Sequence, residues 1–322
     1  MAPSLRCAAA LLPLLLGGCT LSSPHVQDTQ PLDRGRLPLP DVTVQIPQLG
    51  PCTDDPDRTL RFDSRQPVAV LVHGCRGSAG RFRALAQLHA FHGQQAVCFS
   101  YDSGGSLVRG ADQLVKALDT LAGHLRDRNV TVIGHSMGGL VARKAMESER
   151  QGEWRQRDVK VSLVTVSAPV AGIAVARPCG ERALQWLSLG IVPAMCWAIT
   201  GDNWHEIVAS SEFIRSPKPL MPSVQRYVKV VTDERGACRR RDAAGACIEG
   251  DFIFSLAEQY HPVVDGYPRL SNVEVKEGHV GIVGYKDAAP RKLLAILQEQ
   301  GVIAPTSPER RAALERLLAD LY

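Results

Sequence analysis

The sequence predicts an α/β protein: a mostly parallel central sheet flanked by helices, with a cap or lid insertion late in the chain. Three observations predict it. Continuous β-branched apolar runs, such as Val68–Val72 and residues 159–166, have the composition of strands buried on both faces of a sheet. Amphipathic stretches of helical period separate these runs, and alternation at such intervals requires crossovers between parallel strands. The third is the junction Val130-Thr131-Val132-Ile133-Gly134-His135-Ser136-Met137-Gly138-Gly139, where a strand feeds Gly-x-Ser-x-Gly and a helix-compatible stretch follows at once.

In chain order, Arg6 opens a basic start and residues 8–16 form an apolar core too short to cross a bilayer as a helix. Residues 1–18 are therefore expected to be an export signal. Leu16-Gly17-Gly18-Cys19 resembles the lipobox of bacterial lipoproteins. That resemblance implies cleavage before Cys19, lipidation of Cys19, and a place in the bacterial cell envelope. Thr20 after the cysteine, rather than Asp, favours the outer membrane by the same analogy. Residues 19–50, rich in Pro, Ser, Gln and Asp, are expected to be a tether, and 51–322 the folded domain.

Within that domain, Val68–Val72 is the first expected strand and residues 78–91 a helix, with Ser78 as its cap. Residues 95–101 follow as a strand. Residues 106–126 read as a long helix with Leu107, Ala111, Leu114, Leu118, Leu121 and Leu125 on one face. The strand 130–133 leads into Ser136, and residues 140–146 form the helix behind it. Strands are expected at 159–166, 227–231 and 273–275, and closing helices at 291–298 and 308–321. Between the strands at 159–166 and 227–231 the alternation breaks. Residues 170–222 carry Trp186, Trp197 and Trp204 and far more chain than a crossover needs, so they are read as the lid. An apolar lid suits a lipid-like substrate.

Composition excludes several classes. A hydrophobic content of 45% and a charged content of 22% are those of a globular domain. A net charge of +4, with no basic block longer than Arg239-Arg240-Arg241, argues against a nucleic-acid partner. Nine cysteines fit an exported protein. Cys179 with Cys196, and Cys238 with Cys247, are expected disulfides. Two of Cys52, Cys75 and Cys98 are expected to form a third, leaving one free thiol. No Cys-x-x-Cys array points to a metal, and the chemistry below requires neither metal nor cofactor.

A serine hydroxyl is a poor nucleophile at neutral pH. It needs an imidazole to accept its proton, a carboxylate to orient that imidazole, and N–H donors where negative charge develops. His279, preceded by Gly278 in a tight loop after the strand 273–275, is the expected base, with His261 as its rival. Asp233, Asp251 and Asp265 are the candidate acids. The glycines Gly74, Gly134 and Gly138 mark loops where backbone must approach backbone closely.

Together, Val72-His73-Gly74 and Gly134-His135-Ser136-Met137-Gly138-Gly139-Leu140-Val141 resemble the α/β-hydrolase superfamily and, within it, serine lipases and esterases. The likeness spans about residues 60–290. It implies an oxyanion hole formed by the backbone N–H groups of Met137 and of Cys75, which follows His73-Gly74. Gly250-Asp251-Phe252-Ile253-Phe254-Ser255-Leu256 looks like the segment that carries the acid in such hydrolases, which favours Asp251 with Asp233 as the alternative. The function implied is a membrane-anchored hydrolase of carboxylic esters or acyl-lipids working through an acyl-serine. The same triad serves thioesterases and acyltransferases, and the fold also serves non-catalytic surface lipoproteins.

Overall fold

The β-branched runs pair as the alternation requires. The structure, a computed structural model, describes residues 28–33, 37–150, 158–176, 178, 188, 201–285 and 288–322. Its strands are β1 (Val42–Val44), β2 (Leu49–Gly50), β3 (Leu60–Phe62), β4 (Val68–Val72), β5 (Gln95–Phe99), β6 (Asn129–His135), β7 (Lys160–Val166), β8 (Val224–Thr232), β9 (Cys238–Arg241), β10 (Cys247–Gly250) and β11 (Leu270–Val275). Seven of them form one sheet in the order β11-β8-β7-β6-β4-β5-β2, parallel throughout except for β2 at the edge. Parallel order places the C-terminal ends of β4, β6, β7, β8 and β11 side by side, and the residues beyond those ends meet there.

The period-2 alternation of each strand divides the core between two faces. Val70, Val132 and Leu163 pack with α2 (Leu107–His124) and α3 (Met137–Ala145) on one side. Leu71, Ile133, Val164 and Val230 pack on the other with α1 (Arg83–Phe91), α4 (Arg291–Glu299) and α5 (Arg311–Leu321). Ser106 caps α2, accepting a hydrogen bond from Arg109 N–H at 3.3 Å. Ser78 does not cap α1: a 3-10 turn over Gly80–Phe82 precedes that helix, and the Ser78 hydroxyl donates to Asp54.

One boundary differs from the sequence reading. Residues 42–44 and 49–50, expected to belong to a tether over 19–50, are strands instead: β1 pairs with β3 and β2 joins the main sheet through β5. These strands of two and three residues are too short to show a period. The Cys52–Cys98 disulfide fastens the same region to β5. Of the expected lid, residues 177, 179–187 and 189–200 lie outside the described residues, and so does the expected Cys179–Cys196 bond. The segment that returns from it is pinned to the body. The Asn203 amide donates to the Ser103 carbonyl at 2.8 Å, and the Glu206 carboxylate accepts from Ser106 Oγ and Leu107 N–H at the start of α2. Cys238–Cys247 forms as expected and closes the β9–β10 hairpin. Cys75 is disulfide-bonded as well, with its partner outside the described residues, so it is not the free thiol expected of the early cysteines.

Burial leaves two histidines that resist protonation. His89 on α1 is fully buried, which pushes its pKa down to about 4, and His135 is pushed down to about 3, first by burial and then by the neighbouring His279. Each is depressed in the folded state, so below about pH 6.5 the unfolded chain binds more protons than the native one. Stability should therefore fall as pH drops from about 6.5 to about 4, by up to about 1.4 kcal/mol per pH unit for each histidine. Denaturant titrations at several pH values check this. His89→Gln should flatten the slope, and an unchanged slope would contradict the assignment.

Candidate active site

Ser136 follows β6 directly and has φ 55° and ψ −127°, a conformation costly for a residue with a side chain, by about 1–3 kcal/mol. Its N–H donates to the Val166 carbonyl at 2.8 Å and its carbonyl accepts from Gly139 N–H at 2.9 Å, which holds the turn. α3 begins at the next residue. Met137 N–H makes no hydrogen bond among the described residues and lies at the positive end of that helix. Gly138 has to be glycine, because any side chain would collide with the carbonyl oxygens of Val72 and His73.

The loop after β4 lies against the serine. A Cβ on Gly74 would stand 3.0 Å from Ser136 Cβ and 3.1 Å from the His135 carbonyl oxygen, so any side chain here would have to push the serine turn aside by a few tenths of an ångström. Gly77 N–H donates to the Gly74 carbonyl at 3.0 Å, Tyr101 Oη donates to the His73 carbonyl at 3.0 Å, and the rings of His73 and Tyr101 stack at 4.7 Å. His73 thus braces the loop. Cys75 follows Gly74 there, half-buried and covalently tied.

His279 lies four residues beyond β11, and its Nε2 is 3.0 Å from Ser136 Oγ. The ring is buried. The edge of Phe254 packs on it at 4.8 Å, and neutral His135 donates from Nε2 to the His279 carbonyl at 2.8 Å. His279 Nδ1 stands 2.9 Å from Glu234 Oε1 and 2.8 Å from Ser167 Oγ. Glu234, 1% exposed, sits two residues past β8. Its Oε1 also accepts from Ser167 Oγ at 2.9 Å and Thr232 Oγ1 at 3.0 Å, and its Oε2 accepts from the N–H groups of Ile253 and Phe254 at 2.5 and 2.8 Å. Burial pushes the Glu234 carboxyl up, but the hydrogen bond and charge of His279 and the two backbone donors outweigh it and hold the carboxyl below its usual range. Glu234 is therefore an anion at neutral pH.

The carboxylate on the imidazole is thus Glu234, and none of the three candidate aspartates occupies that place. Asp251, 2% exposed, accepts from Val280 N–H at 3.1 Å and Gly281 N–H at 2.8 Å, and pairs with Arg239 at 2.9 Å. It makes no bond to the imidazole and instead anchors the loop that carries it. The absent side chain of Gly278 leaves room for that carboxylate. Asp233 forms a surface ion pair with Arg235, which lowers its pKa to about 2. Asp265 neutralises the buried amine of Lys229. His261, the rival base, caps the short helix Pro262–Asp265 and makes no contact with Ser136.

Strand phase could have identified Glu234. β8 runs to Thr232, and because side chains alternate, Thr232 and Glu234 share the face from which Asp233 points away. Nothing in the sequence marked Ser167 as part of the same cluster.

The arrangement is a relay of hydroxyl, imidazole and carboxylate, with a free N–H beside the hydroxyl, and it suits removal of a proton from Ser136 as that oxygen attacks. The sequence profile of the alpha/beta hydrolase family matches residues 69–306. No curated protein matches the sequence. Among solved structures, the chain is similar to the Bacillus licheniformis lipase BlEst2 in its propeptide form, at 15% identity and a TM-score of 0.50, over 80% of this chain and 54% of that one. The mature form of that lipase aligns at 15% identity and a TM-score of 0.48, over 74% and 92%. Esterase B from Lactobacillus rhamnosis aligns at 12% and 0.46, over 82% and 86%. Sheet order, the strand–serine–helix turn and a profile match over most of the length agree: the chain belongs to the alpha/beta hydrolase family.

Proposed function

We propose that this protein is a serine hydrolase that cleaves carboxylic esters through an acyl-Ser136 intermediate. The observation that carries the reading is the 3.0 Å contact between Ser136 Oγ and His279 Nε2, with ionised Glu234 on the opposite ring nitrogen. As Ser136 Oγ bonds to the ester carbonyl carbon, its proton passes to His279 Nε2. The carbonyl oxygen takes the negative charge, with the N–H groups of Met137 and Cys75 as its donors in this reading. Collapse breaks the bond to the leaving alcohol, which takes the proton from His279. Water then attacks the acyl-serine, giving its proton to the same nitrogen, and releases the carboxylic acid and free Ser136. Glu234 keeps the hydrogen on Nδ1 and stabilises the imidazolium formed in each step.

A lipid-like acyl substrate is supported by the tryptophan-rich apolar composition of residues 170–222. Export and lipid anchoring, at the bacterial outer membrane, are supported by the leader and by Leu16-Gly17-Gly18-Cys19. The test is hydrolysis of p-nitrophenyl esters of graded chain length, together with a fluorophosphonate probe located by peptide mass spectrometry. One probe per chain on Ser136 and release of the acid are expected. Neither labelling nor turnover would leave a hydrolase fold used for binding. Transfer of the acyl group to an added alcohol in preference to water would make it an acyltransferase.

A further inference from the structure

Ser167 is the first residue beyond β7, and its φ of 48° is unusual for any residue but glycine. Its N–H donates to the Val230 carbonyl at 2.9 Å, so neighbouring β8 holds it in place. The hydroxyl is fully buried and touches three groups: His279 Nδ1 at 2.8 Å, Glu234 Oε1 at 2.9 Å and Thr232 Oγ1 at 2.6 Å. A serine kept only to end a strand would need one such partner. Here all three belong to the carboxylate–imidazole pair or abut it.

The protons can be assigned. Ionised Glu234 only accepts. A His279 whose Nε2 accepts from Ser136 carries its hydrogen on Nδ1, and that hydrogen faces both Glu234 and Ser167. Gln259 has a fixed orientation, because its Nε2 donates to the Thr232 carbonyl at 2.8 Å and its Oε1 accepts from Thr232 N–H at 2.9 Å. Thr232 Oγ1 can then donate to Glu234, Gln259 or Ser167, and Ser167 donates its single proton to Glu234 while its lone pair receives from Nδ1. The hydroxyl is a bridge between the two charges that appear when the imidazole is protonated.

Resting on the acyl-serine reading above, we propose that Ser167 is a positioning residue of this site. It is a second acceptor for the His279 Nδ1–H, keeping the ring turned toward Ser136 and fixing its tautomer together with Glu234. It touches no substrate and acts through the imidazole.

The test uses the full-length protein and two variants. Ser167→Gly removes the hydroxyl and suits a positive φ, so the fold should hold, and Ser167→Ala removes the hydroxyl while keeping Cβ. Both should lower kcat by about 10- to 100-fold with KM nearly unchanged, the range expected for losing one hydrogen bond to a charged partner. The downfield proton resonance of His279 Nδ1–H should move in both. A purely structural serine predicts a glycine variant that is as active as the parent, with that resonance in place, and this result would overturn the proposal. A Ser136→Ala protein that keeps its esterase rate would instead overturn the acyl-serine reading. The resonance shift would still report whether Ser167 shares the Nδ1 proton.

Discussion

Replacing Ser136 by alanine is expected to lower kcat for ester hydrolysis by about 10⁶-fold, with the fold intact. The variant loses the nucleophile and no main-chain support: Cβ remains, the N–H still donates to Val166, and Gly139 still donates to the carbonyl. What survives is binding plus the proposed N–H donors of Met137 and Cys75; binding and such donors alone sustain about 10³–10⁴-fold over water in comparable sites. Steady-state rates, a missing acyl-enzyme burst and loss of fluorophosphonate labelling check the expectation together. A second substitution separates strain from chemistry. Ser136 holds a φ of 55° that glycine adopts without penalty, so Ser136→Gly should be as inactive as the alanine variant. It should also unfold at a higher temperature, with about 1–3 kcal/mol of backbone strain released. Wild-type activity in either variant would remove Ser136 from the mechanism.

The parts of this site that sequence exposed are those encoded locally. Gly134, Ser136 and Gly138 lie within five residues because one turn must bring a strand, a hydroxyl and a helix start together, and Gly138 packs on the carbonyls of Val72 and His73. The parallel sheet was legible for a similar reason, since burial on both faces writes continuous apolar runs such as Val68–Val72. His279 was legible from its place after a strand and behind Gly278. The acid was missed because its choice turns on where β8 ends and on its phase rather than on a motif. Asp233 and Glu234 are adjacent carboxylates at the end of one strand, and only the phase of β8 decides which of them faces the imidazole. Asp251 misled for a physical reason. It lies beside the site, but its carboxylate turns to the N–H groups of Val280 and Gly281 and to Arg239. Cysteine pairing is non-local: Cys52 reaches Cys98 across 46 residues because β2 and β5 are neighbours. The brief strands β1 and β2 carry too few residues to betray themselves inside a proline-rich stretch.

Glu234→Gln should lower kcat by about 10⁴-fold, a larger loss than the geometry of an isosteric amide would imply. The reason lies in the donors around it. Glu234 Oε2 accepts from the N–H groups of Ile253 and Phe254, both fixed in the backbone, so the glutamine oxygen is drawn to that side. Its NH₂ then faces His279 Nδ1, Ser167 Oγ and Thr232 Oγ1. An amide donor against Nδ1 favours the tautomer with hydrogen on Nε2, which cannot take the Ser136 proton. KM should change little, because the substrate touches neither group. Asp233→Asn, at a surface pair with Arg235, should leave the rate within about twofold of the parent. Asp251→Asn should lie between them. It weakens the anchor under Val280 and Gly281 and leaves Arg239 with Glu249 alone as a counter-charge among the described residues, so melting temperature falls along with rate. Measuring kcat and KM for the three variants on one ester decides among the carboxylates. If Asp251→Asn alone reproduced the 10⁴-fold loss at an unchanged melting temperature, Glu234 would not be the group that holds the imidazole, whatever the 2.9 Å contact implies.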